Sequence, residues 1–281
     1  METSFEEQIF GHGLNFFHPE NWYAGQRIFR KFLKMTGVYW RGNANTAKIR
    51  ILHNRVTSPI LPPLFEGFTI LHISDLHADM NQRAMDRLVQ LLPDVHYDIC
   101  VLTGDFRGLA AGPFNAAMDE VARVRPHLHD PVYGVLGNHD TIRMVPRLEK
   151  MGIRMLLNES ETIVHDGQHI HLVGVDDAHY YRADNIEKAV ADVPLDEFSI
   201  LLSHTPEIYR QAAHAHFNLM LSGHTHGGQL CLPGSIPITL ESAMPRRFGA
   251  GAWAYHGMAG YTSVGAGSSV VEVRFNCPPE I

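Results

Sequence analysis

The chain has 281 residues, of which 45% are apolar and 19% charged, a composition typical of a folded globular protein and not of a disordered or fibrous one. A formal net charge of -7 argues against a nucleic-acid partner, because surfaces that bind nucleic acid are basic. The three cysteines are far apart and have no CxxC spacing, which excludes a disulfide framework and a zinc ribbon.

The N-terminal part of the chain differs from the rest. We predict an aromatic and basic appendage at residues 1–66, ending in a Pro-rich connector, and a main domain at residues 67–281. Residues 21–65 contain eight Lys and Arg and no Asp or Glu, whereas the rest of the chain holds all 30 acidic residues. No basic leader and no apolar run of about 18 residues is visible, so we expect a cytoplasmic protein.

From residue 68 onward, short apolar strands alternate with helical patterns, which predicts parallel β-α-β units. The first predicted elements are strand 68–74, helix 83–92, strand 98–103, helix 114–124, strand 132–136 and helix 142–151. Three short strands with a turn at 165–167 are predicted between residues 153 and 175. Then follow strand 198–202, helix 206–213, strand 218–221 and a last strand at 269–275 in a second sheet of mixed direction.

Five polar clusters begin where five predicted strands end. They are Asp75-Leu76-His77, Gly104-Asp105, Gly137-Asn138-His139-Asp140, His204 and Gly223-His224-Thr225-His226-Gly227-Gly228. Ligands bind at the carboxyl ends of strands in open α/β sheets, so we expect these clusters to converge. The glycines permit tight turns and a close approach of the backbone to the site.

The converging side chains offer oxygen and imidazole nitrogen ligands and no thiolate, which suits Mn, Fe or Zn. The candidate ligands are Asp75, His77, Asp105, Asn138, His204, His224 and His226. Seven ligands exceed the need of one tetrahedral ion and fit two ions that share a carboxylate, an arrangement suited to phosphoryl chemistry. The other histidines, including His165, His169 and His171, are expected to be surface or strand-face residues.

These clusters resemble, in order, the five motifs of the calcineurin-like metallophosphoesterase superfamily: DxH, GD, GNHD or GNHE, a single His, and GHxH. The residues around these motifs and the closing Asn276-Cys-Pro-Pro-Glu-Ile281 resemble sequences of its bacterial YkuE-type branch. The resemblance implies that residues 67–281 form a metallophosphoesterase domain. It also implies an α/β fold, a four-layer α/β/β/α sandwich with two central mixed sheets.

The resemblance assigns roles to individual residues. It implies that Asp75, His77, Asp105 and His226 bind one metal ion, and that Asp105, Asn138, His204 and His224 bind the other. Mn is the expected metal, with Fe or Zn as alternatives, and the two ions would lower the pKa of bound water. His139 would contact the substrate phosphate and protonate the leaving oxygen, and Asp140 would orient the His139 imidazole.

The sequence departs from the family pattern after Gly104-Asp105, where many members carry an acidic or polar residue. Here the chain continues with Phe106-Arg107-Gly108. Arg107 is therefore a third candidate catalytic residue, which would fork onto a substrate phosphate, and the alternative is an exposed loop residue. YkuE-type relatives often begin with an export signal or a membrane helix, and neither is visible here.

A helical wheel of residues 26–35 separates apolar from basic side chains completely. The apolar arc is Ile28, Phe29, Phe32, Leu33 and Met35, and the basic arc is Arg27, Arg30, Lys31 and Lys34. The aromatic residues nearby are Phe10, Phe16, Phe17, Trp22, Tyr23, Tyr39 and Trp40. Residues 21–41 therefore either dock on an anionic membrane surface, or form an acyl-chain channel to the metals, or pack on the domain as an ordinary helix.

The predicted function is dinuclear-metal-dependent hydrolysis of a phosphoester or pyrophosphate bond in a phosphorylated small molecule or a lipid-linked substrate. If residues 21–41 meet the inner face of the membrane, the protein is peripheral there and acts on a substrate such as UDP-2,3-diacylglucosamine of lipid A biosynthesis. One alternative is a phosphodiesterase or phosphomonoesterase acting on soluble nucleotides or phospholipid head groups. Another is a non-catalytic metal-site scaffold that binds partners.

Overall fold

The computed structural model describes residues 23–281 except residue 241, with side chains from residue 28 onward. The predicted anchors Phe10, Phe16, Phe17 and Trp22, and the side chains of Tyr23 and Arg27, lie outside the described part. The described part begins with helices α1 (Tyr23–Met35) and α2 (Val38–Asn45), which are joined at Gly37 with a φ of 73°. No helix in the described ranges is long and apolar enough to cross a bilayer.

A parallel sheet of four strands follows. Its strands, in spatial order, are β1 (Ile70–Ile73), β2 (Ile99–Leu102), β3 (Val132–Gly134) and β4 (Ile153–Met155). They are connected by helices α3 (Gln82–Leu91), α4 (Asn115–Val124) and α5 (Val145–Lys150). Along β2, Cys100 and Leu102 face the helices, while Ile99 and Val101 face the second sheet. Both faces of this sheet are thus buried, as is usual for parallel strands.

The second sheet has six strands and is mixed. Its members are β5 (Glu159–His165), β6 (Gln168–Gly174), β7 (Ser199–Leu202), β8 (Leu219–Ser222), β11 (Gly251–Tyr255) and β12 (Met258–Thr262). Between them lie helices α6 (Ile186–Ala189) and α7 (Tyr209–His214) and the hairpin of β9 (Cys231–Leu232) and β10 (Ile236–Pro237). The spatial order is β11-β12-β8-β7-β6-β5, and only the edge strands β5 and β11 run antiparallel to their neighbours.

Three apolar clusters separate four layers. One packs α3 and α4 on the four-stranded sheet, one fills the space between the two sheets, and one packs α7 on the outer face of the six-stranded sheet. This confirms the predicted four-layer α/β sandwich, with mixed strand direction confined to the larger sheet. The carboxyl ends of β1, β2 and β3 lie at one edge of their sheet, and those of β7 and β8 lie at one edge of theirs.

The predicted strand at 269–275 is wrong. Val270 takes a φ of 63°, which a β-branched residue in a strand does not adopt. Side chains bind the main-chain carbonyls of this segment: Gln229 donates to those of Ser269 and Val271. Asn43 and Asn45 of α2 donate to two more. Bonds to side chains therefore replace most of the ladder that a neighbouring strand would supply. The exceptions are an isolated bridge to Leu230 and a bond from the Arg274 N–H to the Gly42 carbonyl.

The described part of the N-terminal region packs on the closing segment of the chain. Leu33 of α1 shares a small apolar cluster with Val271 and Val273. Further along, Arg50 forms an isolated parallel bridge with Glu280. The predicted division at residues 66 and 67 stays a prediction.

A cavity of about 330 Å³ lies between the two sheets, beneath the extended connector. Its walls include Ile70 and His72 of β1, Ile200 of β7, Leu221 of β8 and Tyr261 of β12. None of the seven predicted metal ligands lines this cavity. The predicted acyl-chain channel to the metals therefore gains no support from it.

Candidate metal centre

The structure brings all seven candidate ligands together at the carboxyl edge of the two sheets. Asp75 and His77 follow β1, Asp105 follows β2, Asn138 follows β3, His204 follows β7, and His224 and His226 follow β8. Each of these residues is at most 7% exposed. Seven polar side chains buried together need partners, because an unpaired buried polar group costs about 1–3 kcal/mol or more.

The first group of ligand atoms surrounds His226. Its Nε2 lies 3.0 Å from His77 Nε2 and 3.3 Å from Asp75 Oδ1. Asp105 Oδ2 lies 3.5 Å from the same His77 nitrogen. Two nitrogens and two carboxylates thus point toward one position.

The second group surrounds Asn138. Its Oδ1 lies 3.0 Å from His204 Nε2 and 2.9 Å from His224 Nδ1. Asp105 Oδ2 lies 3.3 Å from His204 Nε2. The same oxygen of Asp105 therefore faces both groups, which is where a bridging carboxylate would lie.

Main-chain carbonyls fix the tautomers of two of these histidines. His77 Nδ1 lies 2.8 Å from the carbonyl of Arg107, and His204 Nδ1 lies 2.7 Å from that of Thr103. A carbonyl only accepts, so each Nδ1 carries a proton and each Nε2 in the neutral ring presents a lone pair. These two nitrogen lone pairs lie beside carboxylate and amide oxygens, a set of ligand atoms that suits divalent cations. The residues therefore fit a metal pair.

The electrostatics lead to the same conclusion. Burial lowers the pKa of His77 to about 3, so its imidazole is neutral at pH 7. Burial alone would also lower the pKa of His204, but the Asp105 carboxylate raises it to about 10. Burial works against ionisation of Asp105, yet His204 and His139 hold its pKa well below the usual range. Opposite Asp105 the site therefore needs positive charge, which either a proton on His204 or a bound metal supplies.

The backbone of this edge is strained. Five of the seven candidate ligands have left-handed φ values, at Asp75 (52°), His77 (38°), Asp105 (56°), His224 (71°) and His226 (50°). Such values are uncommon outside glycine and cluster at functional sites, where the surrounding structure maintains them. Two glycines make room for the carboxylates: a Cβ at Gly223 would collide with Asp75, and one at Gly137 with Asp105.

His139 lies beside this centre, but Asp140 does not hold it as predicted. The Nδ1 of His139 lies 2.8 Å from the carbonyl of Gly108, which leaves Nε2 for another partner. The carboxylate of Asp140 instead accepts from the main-chain N–H groups of Asp105, Phe106 and Gly137 at 2.8 to 2.9 Å. The expected contact with the imidazole is therefore corrected: Asp140 positions the loop that carries Asp105.

Both interpretations of Arg107 are also wrong. The side chain is fully buried, which excludes an exposed loop residue. Its guanidinium donates to the carbonyls of His139, Ala110 and Gly112, so it is occupied by main chain and not directed at a substrate phosphate. Because its own carbonyl accepts from His77, Arg107 connects the loops that hold His77 and His139.

The structure adds residues that the motifs did not indicate. Arg274 is fully buried, and its Nη2 lies 3.2 Å from His226 Nδ1. Its signal in the sequence is an arginine within the largely apolar run 270–275. An arginine in such a run is expected to be buried, and a buried arginine requires several acceptors. His179 packs on His224 with ring centroids 4.3 Å apart, and its Nδ1 lies 2.8 Å from Glu207 Oε2. No spacing in the sequence connects that pair to the site.

A four-layer α/β sandwich with buried Asp, Asn and His side chains at one edge suits a metal-dependent phosphoesterase. The family model of the calcineurin-like phosphoesterases matches residues 68–228. The chain belongs to this family, and as predicted it is an enzyme of the hydrolase class.

Known relatives agree with this assignment. The chain is 28% identical over 256 residues to the uncharacterized metallophosphoesterase YkoQ of Bacillus subtilis (strain 168), covering 86% of this chain and 92% of that protein. It is 27% identical over 245 residues to YkuE, an uncharacterized metallophosphoesterase of the same strain, covering 83% and 84%. It is 28% identical over 228 residues to the phosphodiesterase YaeI of Escherichia coli (strain K12), covering 76% and 80%. The predicted resemblance to the bacterial YkuE-type branch is confirmed.

Proposed function

We propose that this edge holds two divalent ions, with Mn as the metal, and hydrolyses a phosphoester or pyrophosphate bond. Asp75, His77, Asp105 and His226 would hold one ion, and Asp105, Asn138, His204 and His224 the other. The observation that carries the proposal is the convergence of imidazole nitrogens with carboxylate and amide oxygens on two positions that share Asp105 Oδ2. When bound, the ions supply Lewis acidity at the phosphoryl oxygens and lower the pKa of water.

His139 is the proposed proton donor to the leaving oxygen. Its Nδ1 donates to the carbonyl of Gly108, and its main-chain N–H donates to Asp105 Oδ1 at 2.9 Å. These two bonds hold the ring beside Asp105, and in the imidazolium form Nε2 carries the proton that it would donate. A positioned imidazole of this kind contributes about 10²–10⁴-fold to a rate.

We also propose that the substrate is lipid-linked, and the surface of α1 supports this choice. Ile28 is 69% exposed, Phe32 54% and Met35 80%. Of the predicted apolar arc, only Leu33 is buried. An ordinary helix packed on its domain would show the reverse arrangement. An exposed apolar face with Lys31 at its border suits the interface of an anionic membrane.

Other cations of α1 are turned toward the protein. Arg30 pairs with Glu272 at 2.7 Å, and the ammonium of Lys34 lies 4.8 Å from the centre of the Tyr39 ring. These contacts fix the helix so that its apolar face points outward. We therefore place the protein as a peripheral one, with residues 21–41 on the inner face of the cytoplasmic membrane and UDP-2,3-diacylglucosamine as the leading substrate.

The substrate test is release of UMP from UDP-2,3-diacylglucosamine by the Mn-loaded enzyme, run beside an aryl phosphodiester and an Asp105→Ala control. Fast UMP release that the Asp105 variant lacks is the expected result. Turnover of the diester without UMP would retain the metal mechanism and discard the lipid substrate. That outcome would favour the second candidate, a phosphodiesterase of soluble nucleotides or phospholipid head groups. The name of the relative YaeI, a phosphodiesterase, supports the reaction class and not these substrates.

The membrane test compares two charge insertions at exposed apolar positions. We expect Phe32→Glu to reduce flotation of the full chain with phosphatidylglycerol vesicles. Leu195→Glu is the matched control, because Leu195 is 73% exposed and lies before β7, whereas α1 packs on Val271 and Val273. Equal flotation of both variants and the parent protein would remove the membrane from the proposal.

A further inference from the structure

A second histidine cluster lies at the amino edge of the six-stranded sheet. His169 and His171 are two residues apart on β6, so both side chains point to the same face. That face is the outer one, because Ile170 packs into the core between the sheets. Glu197 precedes β7, which pairs with β6 in the register His171 to Ser199. The carboxylate thus lies next to the two imidazoles.

The three side chains converge on one point. Glu197 Oε2 lies 2.8 Å from His169 Nε2 and 2.6 Å from His171 Nε2. On the neighbouring strand β5, Thr162 Oγ1 lies 3.4 Å from His171 Nδ1, which holds that ring by its other nitrogen. A ligand histidine is typically held in this way by a second polar group.

Exposure and charge distinguish this cluster from a buried structural one. The side chain of His171 is 8% exposed, that of Glu197 35% and that of His169 46%, so the point of convergence opens to solvent. Hydrogen bonds from His171 and His169 hold the pKa of Glu197 below its usual value, so the carboxylate is ionised at pH 7. Two imidazoles and one carboxylate form a known zinc ligand set that leaves a fourth position for water.

We propose that His169, His171 and Glu197 bind a zinc ion, a third metal site that is separate from the catalytic pair. Strand β7 runs between the two sites, with Glu197 before it and His204 after it. At about 3.3 Å per residue they are on the order of 20 Å apart, so no ion is shared. The zinc would tie the hairpin of β5 and β6 to the start of β7.

The test counts zinc ions bound by the full chain with a competing chromophoric chelator. We expect His169→Gln and Glu197→Gln each to lose one ion relative to the parent protein. His214→Ala is the matched control, because His214 is an exposed histidine at the end of α7. His169→Gln changes a half-exposed side chain, so the fold is retained, which circular dichroism checks.

A second measurement uses the Asp105→Ala background, where the catalytic pair is lost. Zinc should still raise the melting temperature there, and the rise should vanish when His169→Gln is added. Equal zinc counts in parent, His169→Gln and Glu197→Gln would overturn the third site. If the dinuclear proposal fails instead, the total count falls, but the difference of one ion between parent and His169→Gln stays.

Discussion

The two edges of the six-stranded sheet hold histidine clusters that are built in different ways. At the carboxyl edge, His224 and His226 lie on a loop with left-handed φ values, and carbonyls of other loops fix the rings around them. At the amino edge, His169 and His171 lie within the regular strand β6, and strand geometry alone aligns them. The first cluster depends on many distant residues, while the second depends on one strand, one carboxylate and a threonine of the neighbouring strand.

This difference has a physical consequence. A loop residue keeps a strained conformation only where the surrounding contacts determine it. Substitutions around the carboxyl edge should therefore affect residues beyond the one substituted. A pair on a regular strand needs no such support, so substitutions at the amino edge should act locally. The variants below test this contrast.

The largest effect is expected for Asp105→Ala. Its Oδ2 faces both ligand groups, so the variant should bind neither catalytic ion, and kcat should fall by at least about 10³-fold. Metal analysis and turnover of an aryl diester measure the two losses. Two retained catalytic ions would contradict the bridging role, and loss of the zinc at the amino edge would contradict the independence of the two edges.

A somewhat smaller effect is expected for His139→Ala. The catalytic ions should remain, while kcat falls about 10²–10⁴-fold because proton transfer to the leaving oxygen is lost. Substrates with leaving groups that need no proton, such as p-nitrophenolate, should lose less. An equal loss for good and poor leaving groups would assign His139 a different role.

Arg107→Met tests the dependence of the carboxyl edge on distant contacts. The variant leaves the carbonyls of His139, Ala110 and Gly112 without their buried donor, which should lower the free energy of unfolding by about 2–4 kcal/mol. Urea unfolding measures this loss. Full stability together with a raised KM would show instead that the guanidinium reaches the substrate.

The smallest effect is expected for Glu207→Gln, beside His224. Burial works against its charge, but the hydrogen bond from His179 lowers the pKa of Glu207 to about 2, from an ordinary 4.5. A depressed carboxylate pKa stabilises the folded state above the unfolded pKa, and the stabilisation is lost as pH falls. The variant should be less stable by about 1–2 kcal/mol at pH 7, and the difference should shrink between pH 4.5 and pH 2. A difference that is independent of pH would exclude the charged pair as its source.

Much of the fold could be predicted because its signals are local. Apolar strands such as β2 and β7 are short runs bounded by polar residues, and the candidate ligands begin where those runs end. Parallel strands bring their carboxyl ends to one edge, so strand position and residue type together were sufficient to place the ligands side by side.

The predictions that failed concern residues whose partners lie far away in the sequence. The segment 269–275 has a strand-like pattern, but Gln229 and Asn43 take its backbone bonds. Arg107 is polar and follows a motif, so the sequence indicates a surface or substrate role. Its burial follows from three carbonyls that the loop turns inward. Likewise, the spacing of His169 and His171 shows a shared face, but Glu197 lies in a different segment.

Thr103 has a consequence for engineering this enzyme. Its hydroxyl lies 2.8 Å from His72 Nε2 in the wall of the inter-sheet cavity, and its carbonyl lies 2.7 Å from His204 Nδ1. Filling a cavity with larger side chains is an ordinary route to thermostability. Here a larger side chain at position 72 would displace Thr103, whose carbonyl holds the candidate ligand His204. Thermostable variants should therefore be sought on the opposite wall, at Ile170 or Leu219, where added volume leaves Thr103 in place.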